Sequence, residues 1–299
     1  MSVIDLIDVL QRADTSLEQK HLQLGYHLVA FLDVLGQRDR FRELRLPKTA
    51  DETAAVAEVL RQTAGFVTEL REIFAKQFVI FESALTKVQG PVRPKFVGLS
   101  DSFVSSVPLR NPAGDLAAVV SVFSALSAAA VVLLTALSAK HPLRGGIDVG
   151  LATEIAPQEI YGTALERAYL LESREAGSPR ILIGHELWNY LEVALANFKM
   201  QTTPEAKSIV AVITKIMELI SIDSDGKRVL DYLGQVMVEH AGPGGVTAKK
   251  MVKPAYEFVL SEEKRVDLAR NAKLVTGYKA LRRYFESRLP LWNLKAENT

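Results

Sequence analysis

An uncharged stretch in the middle of the chain sets the strongest limit on the fold. From Leu116 to Ala139 the sequence contains no charged residue, and this stretch exceeds the roughly 20 apolar residues that a helix needs to cross a bilayer. It is rich in Ala and Ser rather than Leu and Ile, and it lies between two segments with the pattern of β-strands. We therefore predict a helix buried in the fold or at an oligomer interface, and not a membrane span.

The overall composition excludes several classes of site and partner. The 299 residues include no cysteine, so disulfides, thiolate metal sites and cysteine nucleophiles are all excluded. The formal net charge is +1 and the chain has no basic run, so we expect no nucleic-acid partner. The N-terminus lacks the basic start and apolar run of a signal peptide, and we expect a cytoplasmic protein.

Helical and strand-like patterns alternate along the first 184 residues. Helical patterns cover 1–24, 50–76, 116–139 and 163–174, and strand patterns cover 27–36, 95–98, 103–107, 142–150 and 180–183. This order predicts an α/β (α+β) domain over 1–184, with a core from residue 27 onward and a mixed sheet that has helices on one face. Residues 185–299 are predicted to form a mainly helical extension, including one long helix from Ala255 to Leu289.

Two aspartates lie within or between apolar strand patterns, where burial of a carboxylate costs free energy. Asp33 interrupts the apolar strand pattern, and Asp101 lies in the turn of a predicted hairpin. Taken singly, Asp33 could cap a helix and Asp101 could close an Asx turn. Taken together, a central strand and a neighbouring hairpin can bring both carboxylates side by side, and oxygen ligands of this kind suit Mg²⁺ or Mn²⁺. Two such ions can activate an attacking oxygen and neutralise a leaving group.

Several short motifs resemble the class III adenylate and guanylate cyclases, which have a ferredoxin-like core. Phe31-Leu-Asp-Val-Leu-Gly36 resembles the first metal strand of that family, and Ser100-Asp101-Ser102 resembles its second metal aspartate. Glu159-Ile-Tyr-Gly162, followed by Leu171-Glu-Ser173, is similar to the base-reading turn and the next helix. The strongest resemblance is to the bacterial cyclases of the Pycsar antiphage system, through Phe31-Leu-Asp-Val-Leu-Gly36, Leu99-Ser-Asp-Ser102 and Arg144-Gly-Gly-Ile147. The resemblance covers about residues 27–184.

The resemblance implies a reaction and a set of site residues. Two divalent ions, Mn²⁺ or Mg²⁺, would be held by Asp33, the backbone carbonyl of Val34 and Asp101, and the product would be a 3′,5′-cyclic nucleotide plus diphosphate. The residues implied to contact the substrate are Phe31, Leu35, Gly36, Glu159 and Gly162. The family shares its sites across a homodimer, so Glu159 would reach the base from the partner chain.

The resemblance to the Pycsar group also implies a substrate class and a biological role. UTP is the preferred expectation, with CTP or a purine nucleotide as alternatives, because a carboxylate such as Glu159 can accept hydrogen bonds from several bases. The cyclic nucleotide would act on a separate effector protein in antiphage defence.

Two positions depart from the family pattern. The family's transition-state asparagine falls on Glu166 and its arginine on Leu170, and neither side chain can do that work. Arg144, Arg167 and Arg174 are the candidates to replace the missing cation at the α-phosphate. The alternative interpretation is a catalytically degenerate cyclase fold that binds a nucleotide or a partner and regulates.

Overall fold

A computed structural model of the chain describes residues 24–36, 44–85, 93–109, 114–156, 159–240 and 245–296. The predicted N-terminal helix over 1–24 lies, apart from Leu24, outside these residues.

The first half of the chain forms a ferredoxin-like unit. Its elements are β1 (Gly25–Val34), α1 (Ala50–Leu85), β2 (Lys95–Leu99), β3 (Ser102–Pro108), α2 (Asp115–Ser138) and β4 (Leu143–Ala156). The strands pair in the order β2-β3-β1-β4, and every neighbouring pair is antiparallel. This β-α-β-β-α-β arrangement confirms the predicted fold class.

The sheet continues beyond this unit. The next elements are β5 (Glu159–Gly162), α3 (Thr163–Leu170), a π-helix (Leu171–Ala176), β6 (Ile181–Ile183), α4 (His185–Lys199), α5 (Pro204–Glu218), β7 (Ile220–Ile222), β8 (Arg228–Leu230), α6 (Gln235–His240), α7 (Gly245–Leu268), α8 (Ala272–Arg288) and a 3₁₀ turn (Leu289–Trp292). The full order is β2-β3-β1-β4-β6-β8-β7, with β6 parallel to β4 and β5 paired to β4 off this path. One sheet and one hydrophobic core therefore cross the predicted boundary at residue 184.

Strand β1 is covered on both faces, which explains its unbroken apolar sequence. Leu28 and Leu32 belong to the core shared with α1 and α2, whereas Val29 and Phe31 belong to a smaller cluster with α3. The two long helices lie on one face, as predicted, whereas α3, which belongs to the predicted helix over 163–174, lies on the other face.

Helix α2 is the uncharged stretch, and it lies in the core. It is long and apolar enough to cross a membrane, but 89% of its most apolar window is buried inside the chain, against α1, α5 and α7. Two of its buried serines donate to carbonyls one turn back, Ser121 to Ala117 (2.9 Å) and Ser124 to Val120 (2.8 Å), so these two hydroxyls are satisfied without water. The prediction of a buried helix is confirmed, and its cover comes from the same chain.

The predicted single helix from Ala255 to Leu289 is wrong. Helix α7 ends at Leu268 and α8 begins at Ala272. Between them Arg270 has a positive φ of 54°, and the Asn271 side chain accepts a hydrogen bond from the Leu274 N–H (3.2 Å). An asparagine cap of this kind stabilises a new helix start and so favours the break.

Candidate functional site

Pairing of β1 with β3 brings Asp33 and Asp101 to the same end of the sheet. Asp33 lies opposite Ser102 in the register, and the Val34 N–H donates to the Asp101 carbonyl (3.1 Å). Asp101 occupies the two-residue turn between β2 and β3, where Ser100 has a positive φ of 54°. The two predicted carboxylates are therefore neighbours in the structure.

Arg144 completes this cluster from the other neighbouring strand. It lies directly opposite Asp33 on β4, and its Nη2 lies 3.4 Å from the Asp33 Oδ2. Its Nε donates to Glu172, whose side chain is only 3% exposed. The site thus contains three carboxylates and one guanidinium, and Glu172 is a member that the sequence reasoning did not assign.

Two glycines after Arg144 allow the helical segment to approach β4. A Cβ on Gly146 would lie under 3.0 Å from the Ala168 carbonyl and from Leu171, and one on Gly145 would meet Leu32 as closely. The predicted helix over 163–174 is α-helical only to Leu170 and continues as a π-helix from Leu171 to Ala176. π-Helical turns are frequent at functional sites, and this one contains Glu172.

The electrostatics of the cluster centre on Asp33. The pKa of the Asp33 carboxyl is raised from 3.8 to about 7, mainly by burial and then by the charges of Glu172 and Asp101, whereas Arg144 lowers it. Three carboxylates around one guanidinium leave net negative charge in a partly buried site, which is an environment that favours a divalent cation.

The donor set fits the two-metal chemistry only in part. Oxygen donors are what Mg²⁺ and Mn²⁺ prefer, and these ions use few protein ligands when a triphosphate supplies the rest. Within the ranges that the structure describes, no three His, Cys, Asp or Glu side chains are arranged as a ready metal site. Asp33, Asp101 and the Val34 carbonyl are the groups that would hold the ions, with substrate oxygens completing the shell.

An open cleft runs along α3 on the face opposite α1 and α2. Its volume is ≈ 560 Å³, and its walls include Phe31 and Gly162, both predicted to contact substrate. The Phe31 ring packs edge-on against Tyr169 with 5.4 Å between centroids. Tyr161 is 68% exposed at the same cleft, so the cleft offers aromatic surface for a base.

Leu35 and Gly36 form the turn after β1 and are predicted to bind phosphate through their backbone N–H groups. The Leu35 N–H donates to the Pro142 carbonyl (2.8 Å), so it is not free to bind a phosphate here. Gly36 has a positive φ of 87° in the same turn, a conformation that glycine adopts without strain. The substrate contacts of Leu35 and Gly36 both stay predictions.

Two predicted residues lie away from Asp33 in the same chain. Arg167 donates to the Val149 carbonyl (3.1 Å), and Val149 is about 16 Å along β4 from Arg144 at 3.3 Å per residue. Glu159 is exposed and pairs with Ala156, about 40 Å of strand from Arg144. Arg174 is exposed on the π-helix. A single chain does not bring the side chains of Arg167 and Glu159 to the aspartates.

Asp148 is a structural acid near the site. Its Oδ1 accepts hydrogen bonds from the N–H groups of Val149 (2.9 Å) and Leu187 (2.8 Å), and burial raises the pKa of its carboxyl. Leu187 lies in the first turn of α4, so Asp148 caps this helix from a neighbouring strand. Gly184, the residue before α4, has no Cβ to collide with that carboxylate.

A scan against protein-family models and a search of curated proteins gave no match for this chain. Among solved structures, it is similar to the adenylyl cyclase CyaB from P. aeruginosa, with 18% identity, TM-score 0.41, and coverage of 58% of this chain and 83% of that one. It is also similar to a bacterial light-regulated adenylyl cyclase (14% identity, TM-score 0.37, 62% and 56% coverage). A class III adenylyl cyclase-like ATP-binding protein from Pseudomonas aeruginosa matches at 12% identity and TM-score 0.40, over 72% of this chain and 52% of that one. At these values the similarities do not establish a shared activity.

Proposed function

We propose that this chain is a metal-dependent nucleotidyl cyclase that converts a nucleoside triphosphate into its 3′,5′-cyclic monophosphate and diphosphate. The observation that supports this most is the cluster at one end of the sheet, where Asp33 on β1 and Arg144 on β4 lie beside Asp101 in the turn before β3. Residues 1–184 would form the cyclase domain, with 185–299 completing its sheet and core.

In this proposal each group has a defined task. Asp33, Asp101 and the Val34 carbonyl would bind two divalent ions, which would supply activation of the ribose 3′-hydroxyl and neutralisation of the leaving diphosphate. The 3′-oxygen attacks the α-phosphorus, the bond from that phosphorus to the bridging oxygen breaks, and diphosphate leaves. The Gly36 N–H would bind a phosphate oxygen, and Phe31 and Gly162 would line the nucleotide cleft.

Arg144 is our choice for the cation at the α-phosphate. Of the three predicted arginines it alone contacts an aspartate of the cluster, and it is 24% exposed, which leaves the guanidinium accessible to a substrate. Arg167 is engaged with the Val149 carbonyl. A positively charged group aimed at the phosphoryl oxygens acts mainly in the transition state, so its removal should affect kcat most.

We further propose a homodimer with shared sites. The exposed Glu159 is far from Asp33 along the sheet of one chain, so it could read a base beside Asp33 only from a partner chain. UTP is the preferred substrate in this proposal, with CTP or a purine nucleotide as alternatives, and the product would signal to a separate effector in antiphage defence. The pyrimidine preference and the role in defence rest on the sequence resemblance.

The test is a product assay with purified protein. Each of UTP, CTP, GTP and ATP is incubated with the chain and Mn²⁺, and the products are separated and identified by mass, with the D33A and D101A variants as controls. We expect cyclic UMP and diphosphate from the wild type and no product from either variant. Binding of a nucleotide without turnover would instead support the regulatory interpretation. That interpretation is based on Glu166 and Leu170, which stand where the family has its transition-state asparagine and arginine.

A further inference from the structure

Arg144 is shared unequally between two carboxylates. Its Nε makes a close hydrogen bond to Glu172, whereas its Nη2 remains 3.4 Å from Asp33. Glu172 is 3% exposed and Asp33 is 17% exposed. A buried carboxylate without a partner is costly, so Glu172 has the stronger requirement for the guanidinium.

Glu172 is also held in a fixed position. It lies in the π-helix that packs against Gly146 of β4. The end of this segment is tied down because Arg180 Nε donates to the Ala176 carbonyl (2.8 Å). The backbone at Glu172 is therefore fixed, and the guanidinium must stay near the π-helix to keep this bond.

Without the Glu172 carboxylate, Arg144 would have a second partner within reach. Asp33 lies directly opposite it in the β1–β4 register, and a guanidinium and a carboxylate form strong two-pronged pairs. An arginine that occupies both oxygens of Asp33 would compete with a metal ion for them.

We infer that Glu172 is a positioning residue that limits the Arg144 guanidinium to one long contact with Asp33, so that the Asp33 carboxylate stays available to a divalent cation. The inference rests on the proposed function, since it concerns the same metal site. It assigns Glu172 no contact with the reacting atoms.

The experiment is a double-mutant cycle on Mn²⁺ affinity, measured with the full chain and no nucleotide by electron paramagnetic resonance of free Mn²⁺. The four proteins are the wild type, E172Q, R144M and the E172Q/R144M double variant. We expect E172Q to weaken Mn²⁺ binding by about tenfold or more, and to have an effect below about threefold when R144M is already present.

The cycle separates positioning from a simple loss of charge. If Glu172 acted only through space, E172Q would weaken Mn²⁺ binding equally with and without R144M, and this result would overturn the inference. The matched control is E175Q, because Glu175 lies in the same π-helix but is exposed and paired with Lys227 (2.8 Å). E175Q should leave Mn²⁺ affinity unchanged, and a loss as large as that of E172Q would also overturn the inference.

Two further outcomes are decisive. A wild-type chain that binds no Mn²⁺ without nucleotide overturns this inference, and the product assay then decides the proposed function, because substrate oxygens would complete the metal shell. Mn²⁺ binding without the coupling overturns the inference alone. If circular dichroism shows that E172Q does not fold, the Mn²⁺ affinity of the R144M variant tests the inference instead. An affinity within about threefold of wild type supports the inference, and a rise of more than about tenfold would show that Arg144 blocks Asp33 already and would overturn it.

Discussion

Replacing Asp33 with asparagine should stabilise the protein in the absence of metal. The pKa of Asp33 is raised from 3.8 to about 7, mainly by burial and then by Glu172 and Asp101. Each pKa unit corresponds to about 1.4 kcal/mol, so an ionised Asp33 costs the folded state up to about 4 kcal/mol relative to the unfolded chain. Asparagine has nearly the same shape and removes this cost together with the 3.4 Å contact to Arg144.

The stability gain of D33N should depend on pH, and the raised pKa of Asp33 determines the direction of that dependence. Between pH 4 and 7 the folded protein holds a proton on Asp33 that the unfolded chain has lost, so wild-type stability from this group falls as the pH rises through that window. In urea unfolding with EDTA, D33N should therefore exceed the wild type by up to about 4 kcal/mol at pH 8, and the gain should vanish near pH 4.

A matched control uses an exposed carboxylate. Glu69 is exposed in the middle of α1, and E69Q should change the unfolding free energy by less than about 0.5 kcal/mol at either pH. If D33N is no more stable than the wild type at pH 8 without metal, the electrostatic account of the cluster is wrong.

Three other predictions follow from the same geometry. R144A should lower kcat by about 100-fold with a smaller change in KM, as measured by steady-state kinetics. A kcat equal to that of the wild type would show that Arg144 has no catalytic role. G184A should lower the unfolding free energy by about 1–3 kcal/mol, because its Cβ would overlap the buried Asp148 carboxylate, and unchanged urea unfolding would contradict this. Mixing and refolding the inactive variants D33A and E159A should restore about a quarter of wild-type activity, since half the dimers would contain one intact site; no recovery would argue against shared sites.

Much of the fold could be predicted because its signals are long and periodic. The apolar run of β1, the hairpin around Asp101 and the uncharged helix all stand where the sequence places them. Strands β7 and β8 could not be predicted, because three residues each are too few to show a period of two. Strand β8 pairs with β6 and β7 pairs with β8, and the β6–β8 pairing is a tertiary contact that no local pattern records.

The candidate site could be predicted where a residue conflicts with its surroundings. Asp33 was identifiable because a carboxylate interrupts an apolar strand, and the structure places it beside Asp101 as expected. Glu172 was missed because the helical pattern assumes 3.6 residues per turn, and the change to a π-helix after Leu170 alters which side chains face the sheet. A local change of helix type leaves no mark in hydrophobic periodicity.

The pair Gly145-Gly146 offered the signal that could have located Glu172. Glycine weakens a strand and packs no side chain, so two in succession inside β4 need a reason. The reason is a close approach on both faces: Gly145 meets Leu32 and the β1 backbone, and Gly146 meets the carbonyl of Ala168 and Leu171. Because the side chain before them is Arg144, any segment that reaches the glycines also reaches the guanidinium. An acid in that segment is therefore the expected partner, and Glu172 is the acid that the π-helix presents.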